Sequence, residues 1–120
     1  MKILIVDDNA TVRRLVRCAI SELAKEILEC SDGDEVNALY AQYHPDLVLM
    51  DIRMPRMDGL RAIRALRASF PDARVFIVTD LDDEEMRDAA FEAGACGFAS
   101  KQNLTDLDML ILGANPPVTY

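Results

Sequence analysis

Short apolar runs alternate along this chain with stretches whose apolar residues recur every three or four positions. Residues 2–6 (KILIV) read as a buried strand. Over residues 11–23 the apolar positions are Val12, Leu15, Val16, Ala19, Ile20 and Leu23, the stripe of an amphipathic helix. A second strand is expected over residues 26–30, closed by the turn residues Ser31, Asp32 and Gly33. A weaker helical pattern over residues 34–43 stops before Pro45, because the residue preceding a proline avoids helical backbone. Residues 47–50 (LVLM) form a third apolar run. Asp58-Gly59 then opens a helix with Leu60, Ile63 and Leu66 facing inward and Arg61, Arg64 and Arg67 as a basic stripe, ended at Phe70-Pro71-Asp72. Residues 74–78 (RVFIV) read as a fourth strand. A helix over residues 82–93 carries acids at its start, where the helix dipole favours them, and Gly94 at its end. A brief strand over 97–99 and a short helix over 104–112 complete the series. Five strand–helix units at this spacing predict an α/β fold, a five-stranded parallel sheet with helices on both faces.

At 120 residues the chain is one domain's worth. A 51% hydrophobic, 28% charged composition is that of a folded domain rather than a disordered one. The net charge of -8 argues against gripping a nucleic-acid backbone or an anionic membrane. It also makes cation binding attractive wherever acids cluster. The three cysteines, Cys18, Cys30 and Cys96, each sit in an apolar pattern without a CxxC spacing, so reduced buried thiols are expected. No apolar run is long enough for a signal peptide or a bilayer span, so a cytoplasmic location is expected.

The informative acids stand where strands end. Ligands of open parallel sheets bind beyond the carboxyl ends of the strands. Asp7 and Asp8 follow the first strand, Asp51 the third, Thr79 and Asp80 the fourth, and Ser100 and Lys101 the fifth. With strands one, three and four central, three carboxylates converge at one edge. Such a cluster repels itself unless a cation joins it. Oxygen ligands select a hard ion, with Mg²⁺ the cellular default. A lysine and a hydroxyl beside the metal suit the equatorial oxygens of a phosphoryl group, and an aspartate can itself be the nucleophile. Any one of these residues has a plainer role available. Asp8, Asp32 and Asp58 suit helix N-caps, Thr79 suits a strand, and Lys101 suits a surface. The signal is their joint placement at four strand ends.

Taken together, Asp7-Asp8, Asp51 followed by MPxMDG, Thr79, the GAxGF pattern from Gly94 to Phe98, and Lys101 resemble the receiver domain of bacterial two-component response regulators. The resemblance covers roughly residues 2–112 and implies strand order 2-1-3-4-5. It leaves 113–120 as a tail or the start of a linker. It implies that Asp51 accepts a phosphoryl group from the phosphohistidine of a sensor histidine kinase. Asp8 and Asp51 would ligate Mg²⁺ directly, with Asp7 through water and the backbone carbonyl of Arg53. Thr79 and Lys101 would hold the phosphoryl oxygens. Thr79 and Phe98 would be the switch pair that reshapes the face made by the fourth helix, fifth strand and fifth helix. Such a domain is not an enzyme in the ordinary sense, since it assists only its own phosphorylation and dephosphorylation. The resemblance also implies homodimerisation on phosphorylation, and DNA contact only through an output domain of helix-turn-helix type that this chain lacks.

Three positions depart from the family's pattern. Asp80 stands where a small residue is usual, Arg53 lies two residues after Asp51, and Gln102 replaces a proline after the lysine. Arg53 and Asp80 are expected to pair across the mouth of the site as an access gate. Arg13, Arg14 and Arg17 on the first helix are candidates to meet an acidic kinase surface. Two other readings stand beside the switch. One is a pseudo-receiver that binds proteins without being phosphorylated, favoured only by Asp80. The other is a phosphatase resembling the haloacid dehalogenases, disfavoured because Asp7-Asp8-Asn9 lacks the DxD spacing after the first strand.

Overall fold

A computed structural model describes residues 1–53, 58–80 and 84–114. A five-stranded parallel sheet has the order β2-β1-β3-β4-β5, as expected. Its strands are β1 (Lys2–Val6), β2 (Glu26–Cys30), β3 (Leu47–Met50), β4 (Val75–Thr79) and β5 (Gly97–Ser100). The helices are α1 (Ala10–Ala19), α2 (Val36–Tyr43), α3 (Gly59–Ser69), α4 (Glu84–Ala93) and α5 (Leu107–Ala114).

The central strands are apolar and buried from Ile3 to Val6, from Leu47 to Met50 and from Val75 to Val78 because both of their faces are covered. Alternate residues divide between two cores. Leu4, Val6, Val48, Met50, Val75 and Ile77 pack with Ile63 and Leu66 of α3 on one face. Ile3, Ile5, Leu47, Leu49, Phe76 and Val78 pack with Val16 and Ile20 near α1 and Leu107 and Ile111 of α5 on the other. Both edge strands mix exposed or half-buried residues with buried ones.

Several boundaries differ from the sequence reading for local reasons. Helix α1 begins earlier and ends earlier than 11–23. The Asn9 side chain accepts hydrogen bonds from the amides of Thr11 and Val12, and the chain turns at Ile20. Leu15, expected in the buried stripe, is 53% exposed. The helix expected over 34–43 opens with a 3-10 turn, Gly33–Glu35, held by a reciprocal Asp32–Glu35 capping box. His44 then stops α2 in the left-handed region, at φ 47°. Strand β4 reaches Thr79, which therefore closes the strand instead of following it, and β5 extends to Ser100. The last helix starts sooner than residue 104. Ser100 Oγ accepts a hydrogen bond from the Gln102 amide at 3.2 Å, and a 3-10 stretch, Lys101–Asp106, leads directly into α5. A proline at 102 would have had no such N–H to donate. The start of the acidic helix at 82–83, Met54 and Pro55 of the MPxMDG motif, and the tail prolines lie outside the described residues.

The basic stripe of α3 is also not uniform. Arg61 and Arg64 are exposed, but Arg67 lies across the end of α4 and donates to the Ala73 carbonyl at 2.7 Å. Its Cδ and Nε lie 2.5 and 2.6 Å from where a Cβ on Gly94 would stand, and Gly94 has φ +114°. The left-handed backbone is what requires glycine there; the arginine side chain could shift.

Among the cysteines, Cys30 is buried, Cys96 half-buried and Cys18 exposed, which corrects the expectation for Cys18. Position 18 is two residues from the buried Val16, on the opposite side of the helix. Burial pushes the Cys30 thiol up to about 12. It stays protonated, and so unreactive, through the neutral and mildly alkaline range. A thiol reagent at pH 8 is therefore expected to label Cys18 in the native protein and Cys30 only after denaturation. Peptide mapping of the labelled protein checks this. Early labelling of Cys30 would contradict the packing described.

Candidate functional site

The sheet register assembles the site. Val6 pairs with Met50 and Met50 with Ile77, so the residues following Val6 and Met50 emerge side by side near the end of β4. Those residues are Asp7 and Asp51. Thr79 pairs with Ser100, which brings Lys101 to the same edge. The Lys101 ammonium bridges the two carboxylates, at 2.7 Å from Asp7 Oδ2 and 3.0 Å from Asp51 Oδ2. Asp7, Asp51 and Thr79 are all buried.

The Asp7 carboxylate also accepts from the Asn9 amide at 2.9 Å. Burial nevertheless holds its pKa above the ordinary carboxyl value, since Lys101 and Asn9 offset only part of the desolvation. Burial alone would depress Lys101, but its hydrogen bonds to Asp7 and Asp51 outweigh this and raise it. The lysine is a cation at any physiological pH.

Asp51 Oδ1 is buried with no hydrogen-bond partner among the described residues. A buried carboxylate oxygen without a donor is costly, and sites that tolerate one reserve it for a ligand. Oxygen atoms of Asp7, Asp8 and Asp51 lie within 4.8 Å of one another. Asp8 is exposed and caps nothing, because Asn9 took the capping position expected of it. Asp32 and Asp58, by contrast, are engaged as caps, and Asp58 accepts from the Arg61 amide at 2.9 Å. An all-oxygen cluster with an exposed carboxylate and a buried oxygen unpartnered among the described residues fits a hard divalent cation such as Mg²⁺. Asp7, Asp8 and Asp51 are the side chains that would hold it.

A model of the response regulator receiver domain matches residues 3–111. The chain belongs to that family. This receiver domain is 32% identical over 100 residues to a probable transcriptional regulator, ycf27, of Porphyridium aerugineum. It is 35% identical over 111 residues to the regulatory protein AtoC of Escherichia coli K12, and 37% over 103 residues to the transcriptional regulatory protein YhcZ of Bacillus subtilis. These matches cover 83%, 92% and 84% of the chain but 41%, 24% and 48% of the relatives, so it spans less than half their length. Among solved structures, the signal receiver domain of NarL from Mycobacterium tuberculosis matches with a TM-score of 0.84 at 29% identity, covering 97% of both chains. A CheX–CheY–BeF₃–Mg²⁺ complex from Borrelia burgdorferi matches at 0.87 and 27% identity, covering 98% of this chain and 90% of that one.

The remaining candidate residues lie around this centre. Phe98 is half-buried on β5, with the Arg87 guanidinium carbon 5.2 Å from its ring centroid. Both border a groove of about 600 Å³ between α4, β5 and α5. Arg53 and Asp80 are each exposed, and no ion pair joins them in this structure. Three contributions to the site escaped the sequence reading. Asn9 frees Asp8 by capping α1. Gly59 lets α3 start against the Asp51 backbone. Arg13 reaches the Asp7 carbonyl. The polar residue just ahead of a helical stripe was a usable signal for Asn9. The Asp-Gly pair was one for Gly59, and Arg13 had none. No helix among the described residues is long and apolar enough to cross a membrane.

Proposed function

We propose that this receiver domain is a phosphorylation switch in which Asp51 accepts a phosphoryl group from the phosphohistidine of a sensor histidine kinase. The observation that carries the reading is the unpartnered, buried Asp51 Oδ1 beside the Lys101 ammonium. That oxygen forms the new O–P bond as the P–N bond of the donor breaks, and the departing imidazole takes a proton from solvent. Lys101 moves from the carboxylates to a phosphoryl oxygen, and Thr79 donates its hydroxyl to another. Mg²⁺, held by Asp7, Asp8, Asp51 and the Arg53 carbonyl, would neutralise the charge that gathers on those oxygens. The Borrelia relative carries BeF₃ and Mg²⁺ in its complex, which supports this assignment. Movement of Thr79 then draws Phe98 inward and reshapes the α4–β5–α5 groove, a local charge change biasing a two-state surface. Two of the three relatives named above carry transcriptional regulation in their names, which supports transcription as the output, exerted through a DNA-binding domain outside this chain. A homodimer on that same face is the form expected to act.

The deciding test is intact mass after incubation with a phosphoramidate donor, with and without Mg²⁺. A single Mg²⁺-dependent phosphoryl adduct, absent from Asp51→Ala, is expected. A folded, Mg²⁺-binding protein that takes no adduct would instead favour the pseudo-receiver, the reading that the exposed Asp80 beside Thr79 supports.

Asp80 is proposed to limit access to Asp51 by its charge, without the pairing to Arg53 expected from the sequence. Asp80→Ala is expected to speed phosphorylation by small donors several-fold, because a negative charge near the incoming phosphoryl group is removed. An unchanged rate in the same mass assay would eliminate the gate.

A further inference from the structure

Past the end of a strand, a backbone carbonyl loses its ladder partner and needs another donor. For Asp7, the first residue of the acidic loop, that donor is Arg13. Its Nη1 lies 2.6 Å from the Asp7 carbonyl oxygen. The same guanidinium donates from Nε to Glu29 Oε1 at 3.0 Å, and Arg17 donates to Glu29 Oε2 at 2.9 Å. Glu29 belongs to β2, so a continuous chain of charge-assisted bonds runs from that edge strand through α1 to the acidic loop. The two arginines hold the Glu29 carboxyl below its ordinary value against the opposing effect of burial. The Arg13 and Glu29 side chains are 20% and 30% exposed, and the guanidinium is held from two sides, by Glu29 and by the Asp7 carbonyl. The Asp7 amide is meanwhile fixed to the Cys30 carbonyl at 3.2 Å. Holding the carbonyl as well fixes the Asp7–Asp8 peptide plane, and with it the direction in which the Asp8 side chain leaves the backbone.

We propose that Arg13, oriented by Glu29, is a positioning residue that sets the Asp7–Asp8 peptide for cation binding. The proposal rests on the reading of the site given above and extends it to a residue that touches neither metal nor phosphoryl group. It makes a prediction of unusual sign. Arg13 is a cation near a cation site, so as a bare charge it would weaken Mg²⁺ binding, and its removal would strengthen it. As a positioning residue its removal weakens binding. Partners lying behind metal ligands are typically worth about 10–100-fold in affinity.

The experiment uses ¹⁵N-labelled protein. Mg²⁺ affinity is measured by titration calorimetry for wild type, Arg13→Gln, Arg13→Lys and Glu29→Gln, and the Asp8 amide nitrogen is followed without metal. That nitrogen shares its peptide with the Asp7 carbonyl, so its shift reports the loss of the Arg13 hydrogen bond. Arg13→Gln is expected to displace the Asp8 signal and raise the Mg²⁺ Kd about tenfold. Glu29→Gln should act in the same direction and less strongly, and Arg13→Lys should recover part of the loss. Tighter or unchanged Mg²⁺ binding in Arg13→Gln, or an unmoved Asp8 signal, overturns the proposal. Should Arg13→Gln fail to fold, Glu29→Gln and Arg13→Lys decide by the same two readings. A wild-type protein that binds no Mg²⁺ refutes the reading of the site instead. The Asp8 signal then still decides whether Arg13 places the loop.

Discussion

Replacing Lys101 by methionine is expected to separate two properties: Mg²⁺ binding tightens while phosphorylation slows. Lys101 already serves as the cation of the site, at 2.7 and 3.0 Å from Asp7 and Asp51. An incoming metal ion must compete with it for the same carboxylate oxygens. Removing the ammonium leaves converging acids with no counter-charge, which raises their demand for a metal. An affinity gain of about tenfold corresponds to roughly 1.4 kcal/mol, modest beside the loss of a close ion pair. The phosphoryl oxygens, however, lose a donor at the moment their charge gathers. Loss of one such donor typically costs roughly 10²–10³ in rate. Stability in metal-free buffer should fall by about 3–5 kcal/mol, the usual result of removing one partner from a buried pair. Added Mg²⁺ should restore more of it than it adds to wild type. Calorimetry, an adduct time course and thermal melts with and without Mg²⁺ read these three quantities. Weaker Mg²⁺ binding in the variant would show that the lysine assists the metal instead of competing with it.

Gly59→Ala is expected to damage the fold and the site together. Gly59 begins α3, and its amide donates to the Ile52 carbonyl at 2.7 Å. A Cβ there would lie 2.8 Å from Ile52 Cα and closer still to the Asp51 carbonyl oxygen. Both obstacles are backbone, and Ile52 is itself buried, so neither can yield as the tip of a side chain could. Relief must come from α3 moving off the sheet or from Asp51 moving with its loop. Overpacking of this kind costs about 1–3 kcal/mol. In a domain of this size that lowers the melting temperature by roughly 5–15 °C. The displaced carboxylate should also slow adduct formation at temperatures where the variant is fully folded. Gly113→Ala is the control, since a Cβ there meets nothing within 4 Å. It should melt at or slightly above the wild-type temperature. Equal melting of Gly59→Ala and Gly113→Ala would show that the close approach is tolerated.

Much of this architecture was readable because burial on both faces forces central strands into continuous apolar runs. The ends of those runs marked Asp7, Asp51 and Lys101 as neighbours although they are far apart in the chain. The same logic failed where polar side chains, not apolar periodicity, decide the outcome. Asn9 moved the start of α1 and so released Asp8 from capping. Ser100 set the helical turn at Lys101, where periodicity suggested residue 104. Leu15 followed the helical stripe in sequence but lies beyond the width of the buried face. The contact of Arg13 with the acidic loop was invisible for another reason: its partner there is a main-chain carbonyl, which leaves no mark in the identity of any residue.

The Lys101 bridge also ties the opening motions of the sheet to its charge. Strand β5 is an edge strand, paired only with β4, yet the residue immediately after it grips carboxylates beyond β1 and β3. In native-state amide exchange, opening free energies fall from the core strands towards the periphery. Peeling β5 away therefore cannot be a purely local event, because it withdraws the ammonium from the centre of the molecule. The opening free energy of Phe98–Ser100 includes the cost of stranding two acids. Any cation that takes over those acids lowers that cost. Occupation of the centre is thus expected to loosen the edge, and faster amide exchange along β5 on adding Mg²⁺ is the measurement that checks it.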